Sequence, residues 1–332
     1  MRLMARRSVL AALGGAVAVW PFAARAQQRA QRPRVALLMG GLTSGDAGGQ
    51  AEAGAFEDGL TELGRVEGRN IELAYRWPGA ELDAVRAAAN EIADMRPDLV
   101  VSRSTPATAA LVDKALPMVF VLVTDPLGSG FVENLGHPGG HITGFSVFES
   151  SVGGKWLQLL KEAAPAVARV SLLFNPQTAP FAEGYLHSAQ AAAQVLGITV
   201  MSAPCVSAAD IEATFATRAG EGGGGIIGIA DTFIAEHRNL IIELAGRHRL
   251  PAVYGNRTFV AAGGLLAYSA DFAEIFHRAA GYVDRILKGD KPGDLPVQEP
   301  DKYALSVNLK AASSIGLTLP QALVARADEV IE

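Results

Sequence analysis

Arg34-Val35-Ala36-Leu37-Leu38-Met39 and Arg169-Val170-Ser171-Leu172-Leu173-Phe174 decide how this chain is read. Each opens on an arginine and then runs apolar, Ser171 apart. A run that short and that apolar fits a strand buried on both faces. The segments downstream of the two runs also repeat. After the first, Ala53, Phe56, Leu60 and Leu63 recur at helical spacing over 49–63, and Gly64 ends the pattern. A strand at 71–75, a helix at 81–95 and an apolar strand at 99–102 come next. Thr105-Pro106 then opens another helix, with Thr105 as a hydroxyl N-cap and proline in the first turn. After the second run, a helix over 181–196 ends at Gly197, a strand covers 198–201 and a helix 208–218. The strand 225–229 then precedes Asp231-Thr232 as 99–103 precedes Ser104-Thr105. Pro117-Met118-Val119-Phe120 and Pro251-Ala252-Val253-Tyr254 match, as do 142–146 and 265–269.

Continuously apolar strands alternating with helices build parallel sheets covered on both faces. Two copies in tandem predict an α/β chain of two doubly wound lobes. The tail adds a helix over 272–287, with Phe272, Ile275, Phe276, Ala279, Val283 and Ile286 on one face. A loop over 289–300, a strand over 303–309 and a last helix over 320–331 complete it. This order implies three interlobe crossings, near 145–151, 269–272 and 300–303. Residues 33–146 plus 271–300 then form lobe one, and residues 147–270 plus 301–332 form lobe two. Ligands of such sheets bind beyond the carboxyl ends of the strands, so two facing lobes share one cleft.

The start of the chain reads as an export signal. Arg6-Arg7-Ser8-Val9-Leu10 places a twin-arginine pair before an apolar run that ends near Trp20-Pro21-Phe22, and Ala24-Arg25-Ala26 offers a cleavage site. The run contains Gly14 and Gly15 and is shorter than the roughly 20 apolar residues of a spanning helix. Cleavage after Ala26, by the Tat route, would leave the mature protein in the periplasm. It would remove four arginines and leave 25 Lys+Arg against 34 Asp+Glu, a net charge of −9. Such a chain has no general attraction for nucleic acid or anionic lipid. Cys205, the single cysteine, cannot form an internal disulfide and reads as a small buried residue.

Loops after the strands supply the cleft candidates: Thr43 and Ser44, Ser104 and Thr105, Thr124 and Asp125, Asn175, and Asp231 with Thr232. Each has a plainer reading as a cap or turn residue: Thr105 and Asp231 as helix caps, Asp125-Pro126 and Asn175-Pro176 as turns. Tyr254, Phe145 and Tyr268 fall at strand ends or crossings, where an aromatic ring either stacks on a solute or joins the core. An acid in each lobe and hydroxyls at helix starts suit a zwitterion such as an amino acid. A carboxylate or a sugar is the rival solute.

No enzyme constellation emerges. His137 and His141 lie in a Gly-Pro turn loop. His187, His237, His248 and His277 lie on helices without metal-ligand spacing. Gly222-Gly223-Gly224-Gly225 precedes a strand, whereas a phosphate loop comes after one and carries Lys-Ser/Thr. No catalytic residue, cofactor or metal is expected.

Several stretches resemble a known family. They are Leu63-Gly64-Arg65-Val66-Glu67-Gly68-Arg69-Asn70, Thr124-Asp125-Pro126 and Leu135-Gly136-His137-Pro138-Gly139-Gly140-His141-Ile142-Thr143-Gly144. Phe259-Val260-Ala261-Ala262-Gly263-Gly264-Leu265, Ile286-Leu287-Lys288-Gly289 and Asn308-Leu309-Lys310 complete the set. In this order they resemble the ABC-transporter substrate-binding family whose better-known members bind tryptophan or phenylalanine. The resemblance implies a type I periplasmic-binding fold, with an ABC permease and an ATPase as partners. It also implies an aspartate in the loop of Asp231, and it leaves the solute open. The same fold feeding a signalling receptor is the alternative to uptake. A repressor's effector lobe would carry a DNA-binding helix-turn-helix where this chain has its export signal.

Overall fold

The computed structural model describes residues 32–147 and 149–332. The expected export signal lies outside them. The first half builds β1 (Arg34–Gly40), α1 (Ala47–Glu62), β2 (Glu72–Gly79), α2 (Leu82–Met95), β3 (Leu99–Arg103), α3 (Thr105–Leu111), β4 (Met118–Val123) and β5 (Ile142–Ser146). Its strands are all parallel, in the order β2-β1-β3-β4-β5. The second half builds α4 (Val152–Ala163), β6 (Arg169–Phe174), α5 (Ala182–Leu196), β7 (Thr199–Pro204), α6 (Ala208–Gly220) and β8 (Gly224–Gly228). It continues with α7 (Thr232–Glu236), α8 (Arg238–His248), β9 (Ala252–Tyr254), α9 (Thr258–Ala261) and β10 (Leu266–Ala270). Here the order is β7-β6-β8-β9-β10, the same winding as the first sheet. The sequence repeat is therefore a repeat of topology. The apolar strands are buried on both faces: β1 is buried from Val35 to Gly40, with Phe56, Leu60 and Phe276 on one side and Val85, Ile92 and Leu111 on the other.

The tail ties the lobes together. Helix α10 (Phe272–Leu287) comes after the second sheet yet buries Ile275, Phe276, Ala279 and Val283 in the first lobe's core with Phe56 and Leu60 of α1. The approach depends on Gly59, where an added Cβ would lie 2.6 Å from the His277 carbonyl oxygen. Gln298 then bridges Phe145 in the first sheet. The chain returns as β11 (Tyr303–Asn308), antiparallel to β10. It thus passes between the lobes three times: after β5, after β10 and before β11.

The last stretch corrects the expectation of a helix over 320–331. After α11 (Leu309–Ser314), helix α12 spans only Gln321–Val324, and β12 (Glu329–Ile331) pairs with the free edge of β11. The Asp328 carboxylate accepts from Leu305 N–H at 2.9 Å and aligns the added strand. A three-residue strand leaves no periodic trace in a sequence, and only the neighbouring edge selects it. Helix α11, also unforeseen, starts where the Asn308 side chain caps Ala311 N–H at 2.8 Å.

A candidate ligand cleft between the lobes

Strands β3 and β4 of one sheet and β6 and β8 of the other end at a common cleft. Its centre is a cavity of about 50 Å³, room for a few waters. Lobe one lines it with Arg103, Ser104, Thr105, Pro106 and Thr124, and lobe two with Thr178, Phe181, Asp231, Thr232 and Asn256. Two further chambers continue it. One, of about 200 Å³, includes Thr43, Asp46, Glu52 and Arg238. The other, of about 290 Å³, includes Asp125, Phe131, Gln177 and Phe181.

Ser104 is the most unusual residue here. Its backbone sits at φ 82°, ψ 157°, a region that glycine alone enters freely and that costs a side-chain residue about 1–3 kcal/mol. Hydrogen bonds hold it there. Ser104 N–H donates to Val121 O at 3.0 Å, and its carbonyl accepts from Thr108 N–H and Oγ1 at 3.1 and 3.0 Å. Gly40 makes room, since a Cβ there would lie 3.0 Å from Ser104 Oγ and 2.8 Å from Ala107 Cβ. The strained backbone presents a buried hydroxyl without a hydrogen-bond partner. Thr232 Oγ1, at the equivalent loop of lobe two, is likewise buried and unpartnered.

Asp231 is the counterpart of Ser104, with the opposite bonding. Its carboxylate accepts from Asn175 N–H at 2.8 Å, Thr178 Oγ1 at 2.5 Å and Phe233 N–H at 3.1 Å. Burial pushes its carboxyl up to about 6, against these hydrogen bonds, which lower it. It caps α7, ties two loops together and lines the cavity. Thr105 sits inside the first turn of α3, and Ser104 occupies the cap position. The Thr105 hydroxyl accepts from Thr124 N–H at 3.1 Å, joining the loops after β3 and β4. Thr124 shares a hydrogen bond with Tyr185 of the other lobe.

The remaining candidates divide. Thr43 lines the 200 Å³ chamber and Asp125 the 290 Å³ chamber. Asp125 sits at φ 48° and accepts from Gly128 N–H at 2.8 Å. Asn175 lies one layer behind the wall as a turn residue, accepting from Gln177 N–H. Ser44 is exposed, and its carbonyl accepts from Gln50 Nε2. Three aromatic candidates lie away from the central cavity. Tyr254 is fully buried in lobe two and stacks on Phe259 at 4.3 Å. Phe145 packs in lobe one against Tyr282, with Arg278 over its ring. Tyr268 stacks on Tyr303 at 5.5 Å, beside a small gap where the crossings meet. Strand ends bury alternate side chains in the sheet's own core, which explains Tyr254 and Phe145.

The sequence reading missed Arg103 and Glu52, which form a buried ion pair in the cleft wall. Arg103 Nε and Nη2 donate to Glu52 at 2.6 and 3.2 Å, and Nη1 to Gly40 O at 2.9 Å. A signal existed: an arginine ends the apolar strand β3, and a glutamate interrupts the apolar face of α1 beside Gly49, Ala53 and Phe56. Thr178, Phe181 and Asn256 carried none, because their loops have no periodicity. Among the described residues no group of His, Cys, Asp and Glu is placed to hold a metal, and no helix is long and apolar enough to cross a membrane.

Two doubly wound lobes joined by three strands of chain, with a polar cavity at the facing strand ends, define a type I periplasmic-binding-protein fold. The chain belongs to the ABC transporter substrate binding protein family, whose model matches residues 41–331. It is 22% identical over 286 residues to the tyrosine-binding protein of Clostridioides difficile, covering 82% of this chain and 80% of that protein. Two solved structures superimpose closely. A conserved domain protein from Vibrio cholerae gives a TM-score of 0.82 at 28% identity, covering 90% of this chain and 100% of that one. A domain from Streptococcus pneumoniae in complex with L-Trp gives 0.81 at 23% identity, covering 91% and 100%. The protein is the substrate-binding component of an ABC transporter; its family is one of solute binders, not a class of enzymes.

Proposed function

We propose that the protein is exported to the periplasm, holds a free amino acid between its lobes and delivers it to an ABC permease and ATPase. The observation that carries the reading is the pair of buried, unpartnered hydroxyls, Ser104 Oγ and Thr232 Oγ1, one from each lobe, beside the buried Asp231 carboxylate. A buried hydroxyl without a partner costs about 1–3 kcal/mol, and a ligand that accepts from both recovers it. A zwitterion does so: its carboxylate accepts from the hydroxyls while its ammonium lies near Asp231. Thr105, Thr124 and Asn256 supply the surrounding polar wall. The tyrosine-binding relative and the L-Trp complex support an amino acid over a sugar or a dicarboxylate.

Binding selects the closed arrangement. A solute touching both lobes stabilises closure by its differential affinity for the two states, and the permease reads the closed outline. A thermal-shift screen of the purified protein tests this. The reading predicts a rise in Tm with one or a few L-amino acids, confirmed by calorimetric titration. A shift with sugars or dicarboxylates and none with any amino acid would falsify it.

A further inference from the structure

We propose that Asp46 and Arg238 form a latch that closes one lip of the cleft, positioning the lobes rather than touching the solute. The inference rests on the binding-protein reading above, and it concerns how that protein sets its affinity.

The two lips differ. On one, lobe one presents Gly41 and Gly48, and lobe two comes so close that side chains would collide. A Cβ at Gly41 would lie 2.5 Å from Thr232 Cγ2, and one at Gly48 3.0 Å from Thr258 Cγ2. Across this lip Arg238 Nη2 meets Asp46 Oδ2 at 3.6 Å, with the two side chains 25% and 18% exposed. The opposite lip, residues 125–131 facing 177–181, surrounds the 290 Å³ chamber.

Both members of the pair are held from behind. Asp46 caps α1, its Oδ1 accepting from Gly49 N–H at 2.9 Å, which leaves Oδ2 for the arginine. Arg238 Nη1 donates to Thr258 Oγ1 at 3.4 Å, and that hydroxyl donates to Asn256 Oδ1 at 2.9 Å. Asn256 lines the central cavity. A continuous chain of contacts therefore runs from the cavity wall to the lip. Apparent affinity is the intrinsic affinity scaled by the closed fraction, so a pair made only on closure strengthens binding of every solute by one common factor. For a partly exposed ion pair that factor is about two- to fivefold, and it shrinks as salt screens the charges.

The test uses interlobe distance, from paired fluorophores and small-angle scattering, on the ligand-free protein. Asp46→Asn keeps the helix cap and removes the charge; Arg238→Met removes the other partner. The latch predicts that each variant lengthens the mean interlobe distance at low salt. The double variant goes no further, and wild type approaches the variants near 1 M salt. With L-tryptophan and L-tyrosine as probes, both Kd values rise two- to fivefold by the same factor. Equal distances in wild type and variants overturn the latch. So does a changed ratio of the two Kd values, since that would put the pair in contact with solute. If neither probe binds wild type, the amino-acid reading is decided by the screen of all L-amino acids, and the ligand-free distances still decide the latch.

Discussion

Ser104 and Asp231 occupy the same loop in the two lobes and put opposite demands on the fold. Ser104 stores strain and an unmet hydroxyl, both of which cost stability in the empty protein. Ser104→Ala is expected to raise the ligand-free Tm and to weaken binding by about tenfold, as loss of a hydrogen bond to a charged group does. Ser104→Gly raises Tm further, because glycine relaxes in that backbone region. Calorimetry with and without ligand checks both signs. For Asp231 the carboxyl is raised to about 6 from an ordinary 3.8. Its protonated form is therefore favoured by folding: the contribution is fully present below about pH 4 and is lost as pH rises through 6. The size is about 3 kcal/mol, at 1.36 kcal/mol per pH unit. Melting curves between pH 4 and 7 should show this fall in wild type and not in Asp231→Asn. Ammonium binding runs the other way, since it needs the charged form, so affinity should drop as pH falls below 6. Neither residue's state was legible in the sequence. The sequence reads Thr105 as the cap, whereas Ser104 takes that position, and its positive φ arises because Gly40 and the end of β4 pin it from two sides.

Helix α1 joins several functions along one element. Its cap residue Asp46 reaches the other lobe, Glu52 holds Arg103 in the cleft wall, and Gly59 admits α10. Glu52→Gln leaves a buried guanidinium without its counter-charge and should cost about 3–5 kcal/mol. The exposed Asp83–Arg86 pair should cost under about 1 kcal/mol when broken; urea titrations of the two variants compare them directly. Gly41→Ala acts differently. At φ +83° the added side chain strains the backbone and lowers Tm. Its Cβ would meet Thr232 across the lip, so binding should weaken as well, which calorimetry with and without ligand would show. The existence of these elements was readable from spacing, because buried strands and amphipathic helices need the apolar residues that reveal them. The short β12 and α11 were not, because three to six residues carry too little pattern to outweigh the edge or cap that recruits them.

Across the whole molecule, closure and stability share one free energy. A ligand at a thousand times its Kd should add about 4 kcal/mol to unfolding, visible as a higher Tm. A chain ending before Asp271 should lose lobe one's cooperative transition, since α10 supplies Ile275, Phe276 and Val283 to that core; limited proteolysis with calorimetry of the truncated chain would show it. The doubly wound class and its tandem repetition were determined by sequence alone, because burial of both sheet faces demands long apolar runs at regular intervals. Which of the loop residues meet at the cleft was decided only by tertiary structure. Loops carry no period, and their geometry depends on how two separate sheets are turned toward each other. The same polar side chain therefore becomes a cap, a turn or a cavity wall according to what the opposite lobe brings within reach.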